Sequence, residues 1–132
     1  MTFRVLAPGV RVAGQIGPED VTAAREQGVT LIVNNRLDGE EPGQPSSAEV
    51  ETWAREAGLD YAWMPVRGLP AEADARALAE RLGDDDMLIY CRSGMRSAAL
   101  WAMAEALNGT RDADAIRRAA LEAGYDLSGL LL

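Results

Sequence analysis

The stretch Met87-Leu88-Ile89-Tyr90-Cys91-Arg92-Ser93-Gly94-Met95-Arg96-Ser97 changes character at its cysteine. Met87 to Tyr90 is a short apolar run of the kind that forms a buried strand. Arg92 to Arg96 is polar, contains a glycine for a sharp turn, and brings two arginines close to Cys91. From Ser97 to Leu107 the chain is alanine-rich, with Trp101, Met103 and Leu107 recurring at helical spacing, so a helix begins as the loop ends. Strand, glycine loop and helix in that order make an oxyanion cradle around the cysteine. Loop amides turn inward as a nest, a helix N-terminus adds roughly half a positive charge, and arginine grips tetrahedral anions with parallel donors. The same field favours the thiolate, the nucleophilic form of cysteine. A lone cysteine closing a core strand is often only a small buried hydrophobe. Arginines around a Ser-Gly pair are poor core material, so Cys91 is the expected nucleophile and Arg96 the expected anion-facing side chain. Arg92, Ser93, Gly94 and Met95 are expected to wrap the substrate, and Ser97 to support the loop or assist a leaving group.

Outward from this loop the punctuation is regular. Gly83 and Asp84-Asp85-Asp86 separate the strand from a helix over 71–82, and the turn Arg67-Gly68-Leu69-Pro70 separates that helix from a strand over 59–66. Ser46 or Ser47 can cap a helix running to Ala57, with Glu49 or Val50 in the third helical position and Gly58 closing it. The polar stretch 34–45 is a loop, and Val29-Thr30-Leu31-Ile32-Val33 before it is a β-branched buried strand. Gly17-Pro18-Glu19-Asp20 opens a helix that Gly28 ends, and 3–13 reads as two short strands about Pro8-Gly9. Downstream, Asn108-Gly109 stops a helix and Asp112 caps another over 113–123. Strands alternating with helices predict an α/β protein with a mostly parallel sheet of about four or five strands, covered on both faces. No repeat or linker interrupts the chain, and residues 1–132 fit one domain. Trp53, Trp63 and Trp101 are expected in the core or as pocket walls, and Tyr125 to Leu132 is apolar enough to dock on the domain or on a second subunit.

Composition removes several chemistries. The chain has no histidine and one cysteine, so an intrachain disulfide and a Ser-His or Cys-His hydrolase are excluded and a zinc site is disfavoured. No metal or organic cofactor is expected; activation of the nucleophile must come from electrostatics and backbone geometry. A net charge of −8 makes nucleic acid and anionic membrane poor partners. A small anionic substrate needs a local exception, which Arg92 and Arg96 supply. Met1 to Leu6 carries no apolar segment of signal-peptide length, and no run of about 18 apolar residues is present to span a membrane, so the reducing cytoplasm is the expected compartment.

The loop Cys91-Arg92-Ser93-Gly94-Met95-Arg96-Ser97 resembles the active-site loop of rhodanese-type sulfurtransferases and, more loosely, the signature loop of dual-specificity protein phosphatases. Over nearly the whole chain, VAGQIGPED (12–20), NNRLDGEEPGQPSSAEVE (34–51) and EAGYDLSGLL (122–131) resemble the beta-lactamase-hydrolase-like phosphatase-like family, also described as DUF442. The resemblance implies a dual-specificity-phosphatase-like fold. Some members are fused to a persulfide dioxygenase, which implies such an enzyme as partner and a role in sulfide and persulfide handling; others have been treated as phosphatases.

Dual-specificity phosphatases resemble one another in having five residues between cysteine and arginine, a histidine before the cysteine, and an aspartate general acid. Here Cys91 and Arg96 enclose four residues, Tyr90 precedes the cysteine, and the turn Val66-Arg67-Gly68-Leu69-Pro70 has no aspartate. The shorter loop resembles that of rhodaneses, which accommodates a persulfide sulfur. Cleaving an alkyl phosphate benefits from a proton donor by about 10²–10⁴-fold, whereas attack on a thiosulfonate expels sulfite without one. The expected activity is therefore a sulfurtransferase that forms a persulfide on Cys91 and passes sulfur from thiosulfate or a small persulfide to a thiol. A cysteine-dependent protein or aryl phosphatase acting on a phosphate ester is the alternative, and a non-catalytic anion- or partner-binding module is a third reading. Arg36 and Asp38, after a central strand, are expected to border the pocket, with Asp38 orienting an arginine or donating a proton, unless this loop is simply a solvated acidic turn. Met95 stands where the family loop resembles CRSGTRS, so a hydroxyl is missing from the pocket.

Overall fold

All four side chains of Met87–Tyr90 are buried, which requires a strand with sheet neighbours on both sides and helices on both faces. The computed structural model, which describes residues 3–132, has that arrangement. In chain order the elements are β1 (Arg4–Ala7), β2 (Val10–Ala13), α1 (Pro18–Glu26), β3 (Leu31–Asn34), α2 (Ser47–Glu56), β4 (Asp60–Trp63), α3 (Glu72–Arg81), β5 (Met87–Tyr90), α4 (Met95–Asn108) and α5 (Ala113–Glu122). The strands form one sheet in the order β1-β2-β5-β3-β4, with β1 antiparallel to β2 and every other pairing parallel.

Alternation along the apolar strands divides the interior into two cores. Met87 and Ile89 of β5, with Leu31 and Val33 of β3, face Leu78 of α3, Leu100 and Trp101 of α4 and Ile116 of α5. Leu88 and Tyr90, with Ile32, face Val21 of α1 and Val50 and Ala54 of α2. The caps expected from the sequence are made: Ser46 Oγ accepts from Glu49 N at 3.1 Å while Ser46 N donates to Glu49 Oε1, and Asp112 Oδ1 accepts from Ala115 N at 2.8 Å.

Three expectations are corrected. The strand expected over 59–66 ends at Trp63, although the amides of Met64 and Val66 still reach the carbonyls of Asn34 and Asn35. The helix after the cysteine begins at Met95, before the alanine pattern starts, because Gly94 at φ +100° makes the turn into it. Trp63 is 46% exposed and outside the core; its indole Nε1 donates to the Arg36 carbonyl at 2.7 Å, whereas Trp101 is buried as expected. The C-terminal segment docks on its own chain, with Tyr125 and Leu127 joining the α3/α4/α5 core.

Ile89 is fully buried between β2 and β3. Ile89→Ala should lower the unfolding free energy by about 2–5 kcal/mol in urea titration with an unchanged slope; a loss below about 1 kcal/mol would show that the sheet centre closes around the gap.

Candidate active site

Strand register brings the site together. Tyr90 pairs with Ala13 on one side and Asn34 on the other, and Asn34 pairs with Trp63. The next residue of each strand therefore emerges on one edge: Gly14, Cys91, Asn35 and Met64. This is the carboxyl edge of the parallel strands, where open α/β sheets bind ligands. Gly14 lets the cysteine loop lie close, since a Cβ there would stand 2.8 Å from the Arg92 carbonyl oxygen.

Cys91 is 1% exposed, and its Sγ accepts a hydrogen bond from the Gly94 amide at 3.0 Å. The loop is braced from beneath by buried Ser97, whose Oγ donates to Asn35 Oδ1 at 2.7 Å, while Asn35 Nδ2 donates to the Met64 carbonyl at 2.8 Å. One asparagine thus ties the ends of β3 and β4 to the first turn of α4. Sequence reasoning missed Asn35, because nothing in an Asn-Asn pair after a strand separates a brace from turn chemistry.

Arg96 lies beside Cys91 and is gripped by Glu40. Its Nη1 and Nη2 donate to the two Glu40 carboxylate oxygens at 2.6 and 2.9 Å, and Nη1 also donates to the Val66 carbonyl at 2.9 Å. Glu40 is the main cause holding the guanidinium charged, against the cost of burial, and the nearby Cys91 adds to it. In return Arg96 first, and Arg36 and the Leu37 amide after it, outweigh burial and hold the Glu40 carboxyl down to about 2. Glu40 is therefore a carboxylate at any working pH and a poor proton donor.

The structure places the remaining expected residues as follows. Arg36 is 1% exposed, and its guanidinium donates to Glu40 Oε1 at 2.8 Å, Glu41 Oε1 at 3.2 Å and Gln15 Oε1 at 2.7 Å. It organises the acidic loop from below. Asp38 Oδ1 accepts from the Ser47 amide at 2.8 Å and so fastens the loop to the start of α2, next to the Ser47–Tyr61–Asn34 hydrogen-bond chain. The arginine-orienting role expected of Asp38 falls to Glu40. Within one acidic run, spacing alone could not choose between them. The Arg92 side chain is 70% exposed, with Nε 3.6 Å from Glu41 Oε2. Met95 is exposed, and its amide sits 3.4 Å from Ser93 Oγ. Tyr90 points into the α1/α2 core, where burial pushes its phenol up. Among the described residues no cluster of His, Cys, Asp and Glu is arranged to hold a metal ion.

A cysteine-bearing glycine loop between a central parallel strand and a helix, with an arginine in the first helical turn, sits in an α/β fold shared with phosphatases of the dual-specificity and tyrosine-phosphatase type. The chain belongs to the family of the beta-lactamase hydrolase-like protein, phosphatase-like domain, whose family model matches residues 2–108. A beta-lactamase hydrolase-like protein of Agrobacterium fabrum is 35% identical over 119 residues, which are 88% of this chain and 28% of that protein. The chain thus spans under a third of the length of such relatives. A crystal structure of a candidate phosphatase from Neisseria meningitidis matches with a TM-score of 0.83 at 28% identity, covering 98% of this chain and 93% of the other. A kinase-associated phosphatase with its catalytic-site cysteine changed to serine shares the fold, with a TM-score of 0.72 at 15% identity over 92% of this chain and 81% of the other. These likenesses back the phosphatase alternative better than the sulfurtransferase expectation. Among the described residues no helix is long and apolar enough to cross a membrane.

Glu40 has a depressed folded-state pKa, so its stabilising contribution is complete above the ordinary carboxylate range and is lost as pH falls toward about 2. The side-chain carboxyl carbon signal of Glu40 should titrate near about 2 in the wild type, and Arg96→Met should move it upward toward the unperturbed value of about 4.3. A wild-type midpoint already at that ordinary value would mean the ion pair does not form in solution.

Proposed function

We infer that the chain is a cysteine-dependent phosphatase that acts on aryl phosphate monoesters. The observation that carries this reading is the Gly94 amide directed at Cys91 Sγ with Arg96 alongside, which puts the nucleophile inside its own anion-binding loop. The family and the 28% identical phosphatase-named neighbour support it. Cys91 thiolate attacks phosphorus in line, the P–O bond to the leaving group breaks with its electron pair on the departing oxygen, and a cysteinyl phosphate forms. Water then attacks phosphorus, the P–S bond breaks with its electron pair on Cys91 Sγ, and inorganic phosphate leaves with the thiolate restored. Loop amides and Arg96 take up the charge that develops on the equatorial oxygens.

The substrate class follows from what the site lacks. Glu40 is held ionised by Arg96, Asp38 is bonded to the Ser47 amide, and the turn from Val66 to Pro70 presents a carbonyl in place of an acid. A phenolate can depart without a proton; an alkoxide departs far less readily. Sulfur transfer remains a second reading on one specific ground, the four-residue spacing between Cys91 and Arg96, which makes a tighter cradle.

Assay with p-nitrophenyl phosphate and with glycerol phosphate should give turnover of the aryl ester, a preference over the alkyl ester of about 10²-fold or more, and complete loss in Cys91→Ser. Acid-quenched protein should carry phosphate on Cys91. Thiocyanate formed from thiosulfate and cyanide, dependent on Cys91 and accompanied by a one-sulfur mass gain without phosphate release, would reverse the assignment.

A further inference from the structure

The peptide unit between Ser93 and Gly94 is held at both ends. Its N–H donates to Cys91 Sγ at 3.0 Å, and its carbonyl accepts from the Tyr125 hydroxyl at 3.3 Å. We propose that Tyr125 is a positioning residue that locks this peptide unit with its N–H toward the nucleophile. Tyr125 lies beyond residues 2–108, the part of the chain that the family model matches.

The physical need for a lock comes from Gly94. Carbonyl and N–H of a trans peptide point in opposite directions, so a rotation of the whole unit would exchange the donor facing the sulfur for a carbonyl oxygen. Such a flip changes φ of the following residue by half a turn, here from +100° to about −80°, which glycine adopts as readily. The loop sequence therefore does not itself choose between an orientation that attracts an anion and one that repels it. The Tyr125 hydroxyl does, because it can donate only when the Ser93 carbonyl faces it. A hydrogen bond at the carbonyl also polarises the unit and strengthens its N–H as a donor.

The rest of the surroundings fit a fixed donor. Tyr125 is 7% exposed, its amide donates to the Ala120 carbonyl at 2.8 Å, and its ring lies 5.9 Å beneath the Arg4 guanidinium, which itself donates to the Ala123 carbonyl at 2.8 Å. A Cβ on Gly94 would collide with the Tyr125 hydroxyl, so the loop and the ring are in direct contact. Burial, partly offset by Arg4, pushes the phenol up, and Cys91 adds to the rise, so the hydroxyl keeps its proton.

The test uses the single cysteine of the chain as its own reporter, through the rate of iodoacetamide alkylation against pH, read by mass spectrometry. This readout needs no substrate. The kinetic arm rests on the phosphatase reading; absence of turnover in the wild type would sink that reading and leave the alkylation arm intact. Tyr125→Phe should move the midpoint of the alkylation profile upward and lower kcat by about threefold to tenfold with little change in KM, the size expected for one hydrogen bond. Placing 3-fluorotyrosine at 125, a stronger donor of nearly unchanged shape, should move the midpoint downward and covers the case in which Tyr125→Phe does not fold. Leu127→Ala, which loosens the same segment but keeps the hydroxyl, should lower the melting temperature and leave the profile in place. Profiles for the phenylalanine and fluorotyrosine proteins that coincide with the wild type, or a Leu127→Ala shift as large as that of Tyr125→Phe, would overturn the proposal.

Discussion

A guanidinium buried to 1% exposure must be surrounded by acceptors, and Arg36 is such a group. Removing a cation from water costs several kcal/mol, which is recovered only if its donors are matched by well-placed charges and hydrogen bonds. Arg36 lies two residues beyond the end of β3, so its position is set by the sheet. The chain after it has to fold back to bring Glu40 and Glu41 over the guanidinium, while Gln15 approaches from the end of β2. Turns at Gly39 and Gly43, both at positive φ, make the reversal possible. Once Glu40 is fixed by Arg36, its two oxygens are also fixed in front of Arg96. The orientation of Arg96 is thus inherited from a cation buried beneath the acidic loop.

The same economy of parts explains the other edge of the site. Asn35, the neighbour of Arg36, bonds to Ser97 below the loop and to the Met64 carbonyl on β4. Two consecutive residues at the end of one strand therefore set both the acidic wall and the floor of the cradle. A displacement of β3 by one residue would exchange their directions and lose both. That places unusual weight on the parallel register of β3 with β5, and helps to explain why all four residues of each strand are buried.

Much of this was legible in sequence. The apolar run into Cys91, the glycine loop and the alanine-rich helix contain their own period and punctuation, and the caps at Ser46 and Asp112 are local chemistry. The alternation of elements gave a mostly parallel sheet, and β5 at its centre is what a four-residue run with no polar position requires. Illegible parts depend on which residues of a loop meet a distant partner. Asp38, Glu40 and Glu41 are equivalent as a pattern; tertiary contact assigns the first to the start of α2 and the other two to arginines. Tyr125 is separated from the loop by the whole of α4 and α5, so no local rule could connect its hydroxyl with Ser93. Trp63 lies outside the core because a large apolar side chain at the end of an edge strand has only one sheet neighbour, and its indole finds a carbonyl at the rim.

The acidic wall does not take every donor of Arg96. A guanidinium has five N–H groups. Among the described residues, Glu40 takes one from each of Nη1 and Nη2, and the Val66 carbonyl takes the second from Nη1. What remains is Nε–H and one Nη2–H, which lie on the same side of the planar group and form a bidentate edge suited to two oxygens of a tetrahedral anion. Glu40 therefore orients Arg96 without occupying that edge. The arrangement also imposes a charge limit. A ligand on the free edge lies near the Glu40 carboxylate, so Arg96 alone cannot neutralise a dianion; the amides of the Cys91 loop and the first turn of α4 must share the charge. On the phosphatase reading proposed above, the direction of the Gly94 amide is then a requirement of binding as much as of reactivity, because it is part of the positive field that offsets the acid behind the arginine.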